Sequence, residues 1–284
     1  VLNLKLYPIL IGLIAATLLW IGKYKILERS LIFLVVIMSL SFLVTAVATR
    51  PSLAQIFSGL FRFSTPESGL LSIIGLVGTT IVPYNLFLHT ELVREKWSSK
   101  ADLPFAIKDL LIALTLGGLI SMSIIITAAG VEATTINNAA DLALGLAPIF
   151  GEGAKYLLSI GLFAAGITSS ITAPLAAAYV VCGCFGWSTD LTSRSFRRSW
   201  AIVILFGMLL ASTGLKFILI IQFAQIANGI LLPMIAAILL WIMNKASWLG
   251  KSKNNWYQNL FGFLIVIISL FLSMRTLGSV FQFF

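Results

Sequence analysis

Eight long apolar runs follow one another along this chain, near residues 6–22, 31–48, 69–93, 110–131, 155–186, 198–213, 217–243 and 257–274. Most match the roughly 17–25 residues that a helix needs to cross the hydrocarbon core of a bilayer. The sixth and eighth are close to the lower limit. The sixth and seventh are separated only by Ser212-Thr-Gly-Leu-Lys216, and one helix over 198–243 would be about twice the length a bilayer needs, so the spacing predicts a tight turn there. With 59% hydrophobic residues, 10% charged residues and a mean hydropathy of +1.03, the chain does not have the composition of a soluble domain. In lipid the backbone has to satisfy its own polar groups, which helices do within each segment. The expected class is therefore an all-α, polytopic membrane protein with about eight transmembrane helices, read as a single transmembrane domain over 1–284.

The cationic residues fall unevenly between the loops. The loops after the first, third, fifth and seventh runs hold 13 Lys and Arg residues, from Lys23 to Lys253. The alternate loops hold four, namely Arg50, Arg62, Lys155 and Lys216. The positive-inside rule assigns the first set to the cytoplasm and both ends of the chain to the other side. A multi-pass protein of the plasma (inner) membrane is expected. Topology accounts for the net charge of +9, and no clustered basic face calls for a nucleic-acid partner. The chain opens on Val1 without a charged leader before its first run. An outside start then implies an odd number of upstream spans, and the chain is expected to be the C-terminal part of a longer transporter.

Enzymatic motifs are missing from this pattern. Cys182 and Cys184 flank Gly183 at i, i+2, which points them about 200° apart on a helix and argues against a mutual disulfide. His89 is the one histidine, so paired-histidine metal motifs are excluded. No acyl-transfer triad, phosphate loop or pair of catalytic carboxylates can be placed at membrane depth, and the chain is not expected to be an enzyme.

The polar residues that a bilayer should not contain gather in Gly75-Leu-Val-Gly-Thr-Thr-Ile-Val-Pro-Tyr-Asn-Leu-Phe-Leu-His89. Pro83 lacks an N–H and clashes with the preceding turn, so the third span is expected to break into half-helices near 69–78 and 84–95. Such a break at depth lines protein or a watery cavity, as in the broken helices of secondary transporters; a simple proline kink is the alternative. Its free carbonyls suit a hard cation and its free N–H groups an anion. Thr79 and Thr80 add hydroxyls, and Asn85 either supplies an amide oxygen or braces the unwound loop. A lone membrane threonine more often bonds back to its own helix. His89 either carries protons near neutral pH or makes a structural hydrogen bond. In the seventh span Gln222, Gln225 and Asn228 recur at i, i+3, i+6 on one broad face, either lining a path or joining helices. The small residues from Gly161 to Ser170 read as close packing, with Thr168, Ser169 and Ser170 as candidate cavity lining.

Val77-Gly-Thr-Thr-Ile-Val-Pro-Tyr-Asn-Leu-Phe-Leu-His-Thr90 resembles the sixth transmembrane helix of the Nramp family of divalent-metal transporters, which typically reads V-G-A-x-x-M-P-H-N-x-x-L-H-S. Gly161–Ser170 resembles the eighth-helix pattern G-L-x-A-A-G-x-S-S, and Gln225 with Pro233 the tenth-helix glutamine eight residues before a proline. Leu19–Leu27 and Glu28 fit the start of the family's fourth and fifth helices. Nearly the whole chain is covered, as helices four to eleven. The resemblance implies an incomplete LeuT-like inverted-repeat fold: residues 1–50 as the last two helices of the first repeat, 69–243 as the second five-helix repeat with its first helix broken, and 257–274 as an extra helix.

The resemblance also implies a secondary transporter moving a divalent metal ion by alternating access, with the metal as substrate and no cofactor. The metal-binding carbonyl then falls on Thr79 and the tenth-helix glutamine on Gln225. The family methionine falls on Val82, its first histidine on Tyr84 and its second on His89, the proton-pathway candidate. Thr80, Val82, Pro83, Tyr84, Asn85, Gln222 and Asn228 are the candidate substrate pathway. The family's first-helix aspartate and asparagine ligands are not in this chain. A methionine thioether favours soft transition metals and Val82 cannot ligate, so Mg²⁺ or Mn²⁺ is expected over Fe²⁺ and Cd²⁺, closer to the Nramp-related magnesium transporters. Replacing the first histidine by Tyr84 also weakens proton coupling. The competing expectation is a LeuT-fold symporter for an amino acid or other organic solute, its carboxylate held by Asn85 and the half-helix N-terminus.

Overall fold

A computed structural model describes residues 7–61, 82–97, 99–129, 153–213 and 217–280. The helices are α1 (Tyr7–Ile21), α2 (Tyr24–Ala48), α3 (Leu53–Phe61), α4 (Pro83–Lys96), α5 (Leu103–Ala129), α6 (Gly153–Phe185), α7 (Arg194–Ser212), α8 (Phe217–Met243), the short α9 (Ala246–Leu249) and α10 (Trp256–Val280). No strand occurs among the described residues. α2, α5, α6, α7 and α10 each contain a stretch long and apolar enough to cross a membrane. The turn expected between the sixth and seventh runs begins where α7 ends, at Ser212, with the Thr213 N–H donating to the Leu210 carbonyl at 3.2 Å.

Several helices are longer than their apolar runs. α2 begins at Tyr24, not near 31, and α5 at Leu103, not near 110. Lys25, Glu28, Arg29, Lys108 and Asp109 therefore sit on helical turns, as do Arg194, Arg197 and Arg198 at the start of α7. Hydropathy marks the part of a helix immersed in hydrocarbon; charged turns that project into the headgroup region continue the same hydrogen-bond ladder.

The chain divides into two compact units: Val1–Phe63 with Phe87–Leu215, and Ser64–Leu86 with Lys216–Phe284. In the first, α6 is the central helix. It packs on α2, α7 and α1, while α2 also meets α5. Ala164, Ile167, Ile171, Leu175, Ala178 and Cys182 recur at i, i+3 and i+4 on its buried face. Tyr156, Ile160 and Phe163 of the same helix are exposed, as lipid-facing residues should be. In the second unit α8 packs along α10.

The interior follows membrane rules. Among the described residues the buried polar ones are all hydroxylated: Ser41 and Thr45 on α2, Ser123 and Thr127 on α5, Ser269 and Ser273 on α10. Leucine, isoleucine and phenylalanine cover the outside of the same helices. Lipid offers no hydrophobic gain for hiding a leucine, so small residues that let backbones approach take the contacts. The hydroxyls of Ser41, Thr45, Ser123 and Ser269 donate back within the helix, as Ser41 does to the Ile37 carbonyl (2.9 Å) and Thr45 to Ser41 (2.7 Å), whereas that of Thr127 finds no partner among the described residues. Gly161 is one such approach point: a Cβ there would meet Ser41 Cβ at 3.0 Å.

Candidate functional site

Pro83 occupies the first helical position of α4, and Val82 before it is non-helical. A proline fits there because the first N–H of a helix has no intrahelical partner and the ring fixes a helical φ. The first backbone bond runs from the Asn85 N–H to the Val82 carbonyl at 3.0 Å. α4 is 14 residues long, about 20 Å at 1.5 Å per residue. Its last turn carries Arg94 and Lys96, with Glu91 paired to Arg94 at 3.6 Å, so that end lies at a charged rim. Twenty ångströms is less than the roughly 30 Å of hydrocarbon. The positive dipole end of α4 lies at Pro83. A helix expected over 84–95 thus runs over Pro83–Lys96, while the residues on the other side of the expected break lie outside the described ones.

The other candidate residues are distributed as follows. Val82 and Tyr84 are half-buried and Asn85 is exposed. Gln222, Gln225 and Asn228 belong to α8, which runs unbroken through Pro233; Asn228 is half-buried. Thr79 and Thr80, the half-helix expected at 69–78, and the side chains of Pro83, Gln222 and Gln225 lie outside the described residues. No group of three or more His, Cys, Asp or Glu with metal-binding geometry occurs among the described residues.

His89 is exposed and borders a cavity of about 350 Å³ between α2, α4, α5 and α6. The walls are mostly aliphatic, while Tyr24, Glu28, Lys96 and Asp109 border it too. Lys96 Nζ lies 3.4 Å from the Asp109 carboxylate and 4.6 Å from the centre of the Trp97 ring. Ser169 and Ser170 do line a cavity, of about 550 Å³, with α1 and α7, whereas Thr168 donates back to the Ala164 carbonyl. Cys182 is buried, Cys184 is exposed, and both are free thiols.

Three of the four basic loops converge at one end of the first unit. Arg197 Nη2 donates to the Trp20 carbonyl (3.1 Å) and its guanidinium lies over the Trp20 ring at 4.4 Å, tying the end of α1 to the start of α7. Lys23, Lys25, Glu95 and Lys96 border one further cavity there. In the loop before α7 the Asp190 carboxylate accepts from the Thr192 N–H (2.8 Å) and hydroxyl (2.9 Å). Those bonds hold its pKa below the usual carboxylate range against a desolvation effect, with a lesser contribution from the Arg197 charge. None of these convergences has a local signal: residues 20–28, 95–109 and 190–197 are remote in sequence and meet only through helix packing.

The sequence profile of the Nramp family, natural resistance-associated macrophage protein-like, matches residues 1–279. The chain belongs to the Nramp family. Similar relatives include proteins named "Divalent metal cation transporter MntH" from Verminephrobacter eiseniae, 28% identical over 87% of this chain and 59% of its own length, and from Bradyrhizobium diazoefficiens, 26% identical over 90% and 60%. The "Metal transporter nramp1 homolog" of Dictyostelium discoideum is 27% identical over 90% of this chain and 51% of its own length. The chain thus spans between half and two-thirds of the length of these relatives. The all-α, multi-pass architecture is that of an Nramp protein, whose fold is LeuT-like. These relatives are named as transporters, not as enzymes.

Proposed function

We propose that this chain forms the greater part of a secondary transporter for a divalent metal ion, working by alternating access in the plasma (inner) membrane. The observation that carries the reading is the start of α4 at Pro83, about 20 Å from its charged end. Backbone that leaves the helix at such depth is tolerated where it faces protein or water, and there it presents oxygens to a cation. The Thr79 carbonyl and hydroxyl and the Gln225 amide are the proposed metal ligands. Thr80, Val82, Pro83, Tyr84, Asn85, Gln222 and Asn228 border the path, and His89 handles a proton on the side of the basic loops. Those loops face the cytoplasm. Residues 1–50 close the first inverted repeat, 69–243 form the second, and 257–274 add a peripheral helix.

Valine at 82 in place of a thioether, with the added oxygen of Thr79, selects Mg²⁺ or Mn²⁺ over softer ions. Uptake into proteoliposomes made with the whole protein tests the assignment. Thr79→Ala and Gln225→Ala are expected to lower Mn²⁺ and Mg²⁺ uptake at least about tenfold, the equivalent of roughly 1.4 kcal/mol. Unchanged uptake in both variants would refute the ligand assignment. The positive end of α4 would equally suit a carboxylate, which keeps an organic-solute symporter as the second reading. Calorimetric titration of the wild type with Mn²⁺, Mg²⁺ and an amino-acid panel separates the two, and heat from an amino acid alone favours the second.

A further inference from the structure

Two cavities adjoin at the rim where the basic loops converge. The outer one, about 580 Å³, is bordered by Lys23, Lys25, Glu28, Glu95 and Lys96. The inner one, about 350 Å³, has aliphatic walls that include Leu27, Leu31, Leu88, Leu92 and Leu175. Tyr24, Glu28 and Lys96 border both, so the charged space continues into the apolar one. Lys96 is already paired with Asp109. Among the described residues Lys23, Lys25, Glu28 and Glu95 form no salt bridge, leaving two cations and two anions uncompensated around one space. Half-buried Tyr24 and Trp97 stand at the same level, as interfacial aromatics do.

We propose that this double cavity is a phospholipid site that selects a zwitterionic headgroup bearing a primary ammonium, as in phosphatidylethanolamine. The phosphate is met by Lys23 and Lys25, the ammonium by Glu28 and Glu95, and the head of one acyl chain enters between α2, α4 and α6. The equal balance of charges argues against a purely anionic lipid, which would leave both carboxylates facing a phosphate. A choline headgroup offers no N–H to the carboxylates. The inner cavity shares His89 with the proposed proton path, but the inference draws on none of the proposed metal ligands and survives if that reading fails.

Electron paramagnetic resonance of chain-labelled lipids around the reconstituted protein provides the test. Labelled phosphatidylethanolamine is expected to associate at least threefold more strongly than phosphatidylcholine or phosphatidylglycerol. Lys23→Gln with Lys25→Gln should abolish that preference. Glu28→Gln with Glu95→Gln should turn it toward phosphatidylglycerol, and Leu31→Trp, which fills the apolar part, should weaken all three lipids. Soluble glycerophosphoethanolamine should displace none of them. Equal association of the three lipids with the wild type overturns the proposal. So does an unchanged preference in both charge variants with unaltered thermal unfolding, or displacement by the soluble headgroup. Ethanolamine lipid co-purifying with the wild type but not with the lysine variant, read by native mass spectrometry, supplies an independent measure if a variant reconstitutes poorly.

Discussion

Single residues set the chemistry here, and Val82 is the sharpest instance. It stands at the non-helical step before Pro83, half-buried, where the family resemblance places a methionine. A thioether at that point would add a soft donor to an otherwise hard set. Val82→Met is therefore expected to raise Cd²⁺ uptake in proteoliposomes about tenfold relative to Mg²⁺, about 1.4 kcal/mol of selectivity; no gain would remove the softness argument. Asp190 makes a different residue-scale prediction. Its pKa is lowered by the Thr192 N–H and hydroxyl and then by Arg197. A carboxyl whose folded pKa lies below its unfolded value contributes stability that is complete above the unfolded value, about 3.9. That contribution disappears as the pH falls through the folded pKa. Asp190→Asn should thus lower the unfolding temperature at pH 7, with the difference from wild type closing below about pH 4. A difference independent of pH would assign the effect to the loop hydrogen bonds alone. Arg197 couples two helices through one side chain, by its bond to the Trp20 carbonyl and its stacking on the Trp20 ring. Arg197→Ala should cost about 1–2 kcal/mol, visible as earlier unfolding in detergent.

At the scale of helices, contact depends on how closely backbones approach. α2 and α6 meet where Gly161 faces Ser41, with no room for a Cβ beyond ordinary contact. Gly161→Val should therefore push these helices apart and destabilise the protein by about 1–3 kcal/mol. Gly166→Ala, where a Cβ meets nothing within 4 Å, serves as the control and should be silent. A silent Gly161→Val would mean that α2 and α6 slide freely. Much of this scale was legible in the sequence, because it is local. Pro83 announced the start of α4, the apolar runs located the long helices, and the small residues after Gly161 marked a packing face. Helix ends were less legible: Lys25, Glu28 and Arg29 look like loop by hydropathy yet lie on α2, since the ladder of backbone bonds does not stop where hydrocarbon does. The partners of each face were illegible. Nothing near Gly161 points to Ser41, nor near Lys96 to Asp109, because such pairs are set by which helices become neighbours.

For the whole molecule the same asymmetry of charge has two physical consequences, and both can be checked. Loops rich in lysine and arginine are held on the cytoplasmic side during insertion, which fixes an alternating topology. The described helices are compatible with that alternation: α1, α4 and α7 bring residues 20–25, 95–96 and 197 to one rim of the first unit, although hundreds of residues of chain need not have done so. In the second unit the segment at 244–255 follows the single helix α8, 27 residues long, about 40 Å at 1.5 Å per residue. That length exceeds the hydrocarbon core, so an α8 that spans the bilayer puts its two ends on opposite faces. In a background with Cys182→Ala and Cys184→Ser, Ser247→Cys should react with a membrane-impermeant maleimide only after cells are opened, and Thr213→Cys should react in intact cells. Both positions are exposed, so failure to label either in opened cells is not expected. If both label from the same side, α8 does not span, the alternation of basic loops loses its meaning, and the placing of His89 on the cytoplasmic side of the break falls with it. If the sides are opposite but reversed, the fold stands and His89 falls on the non-cytoplasmic side of the break.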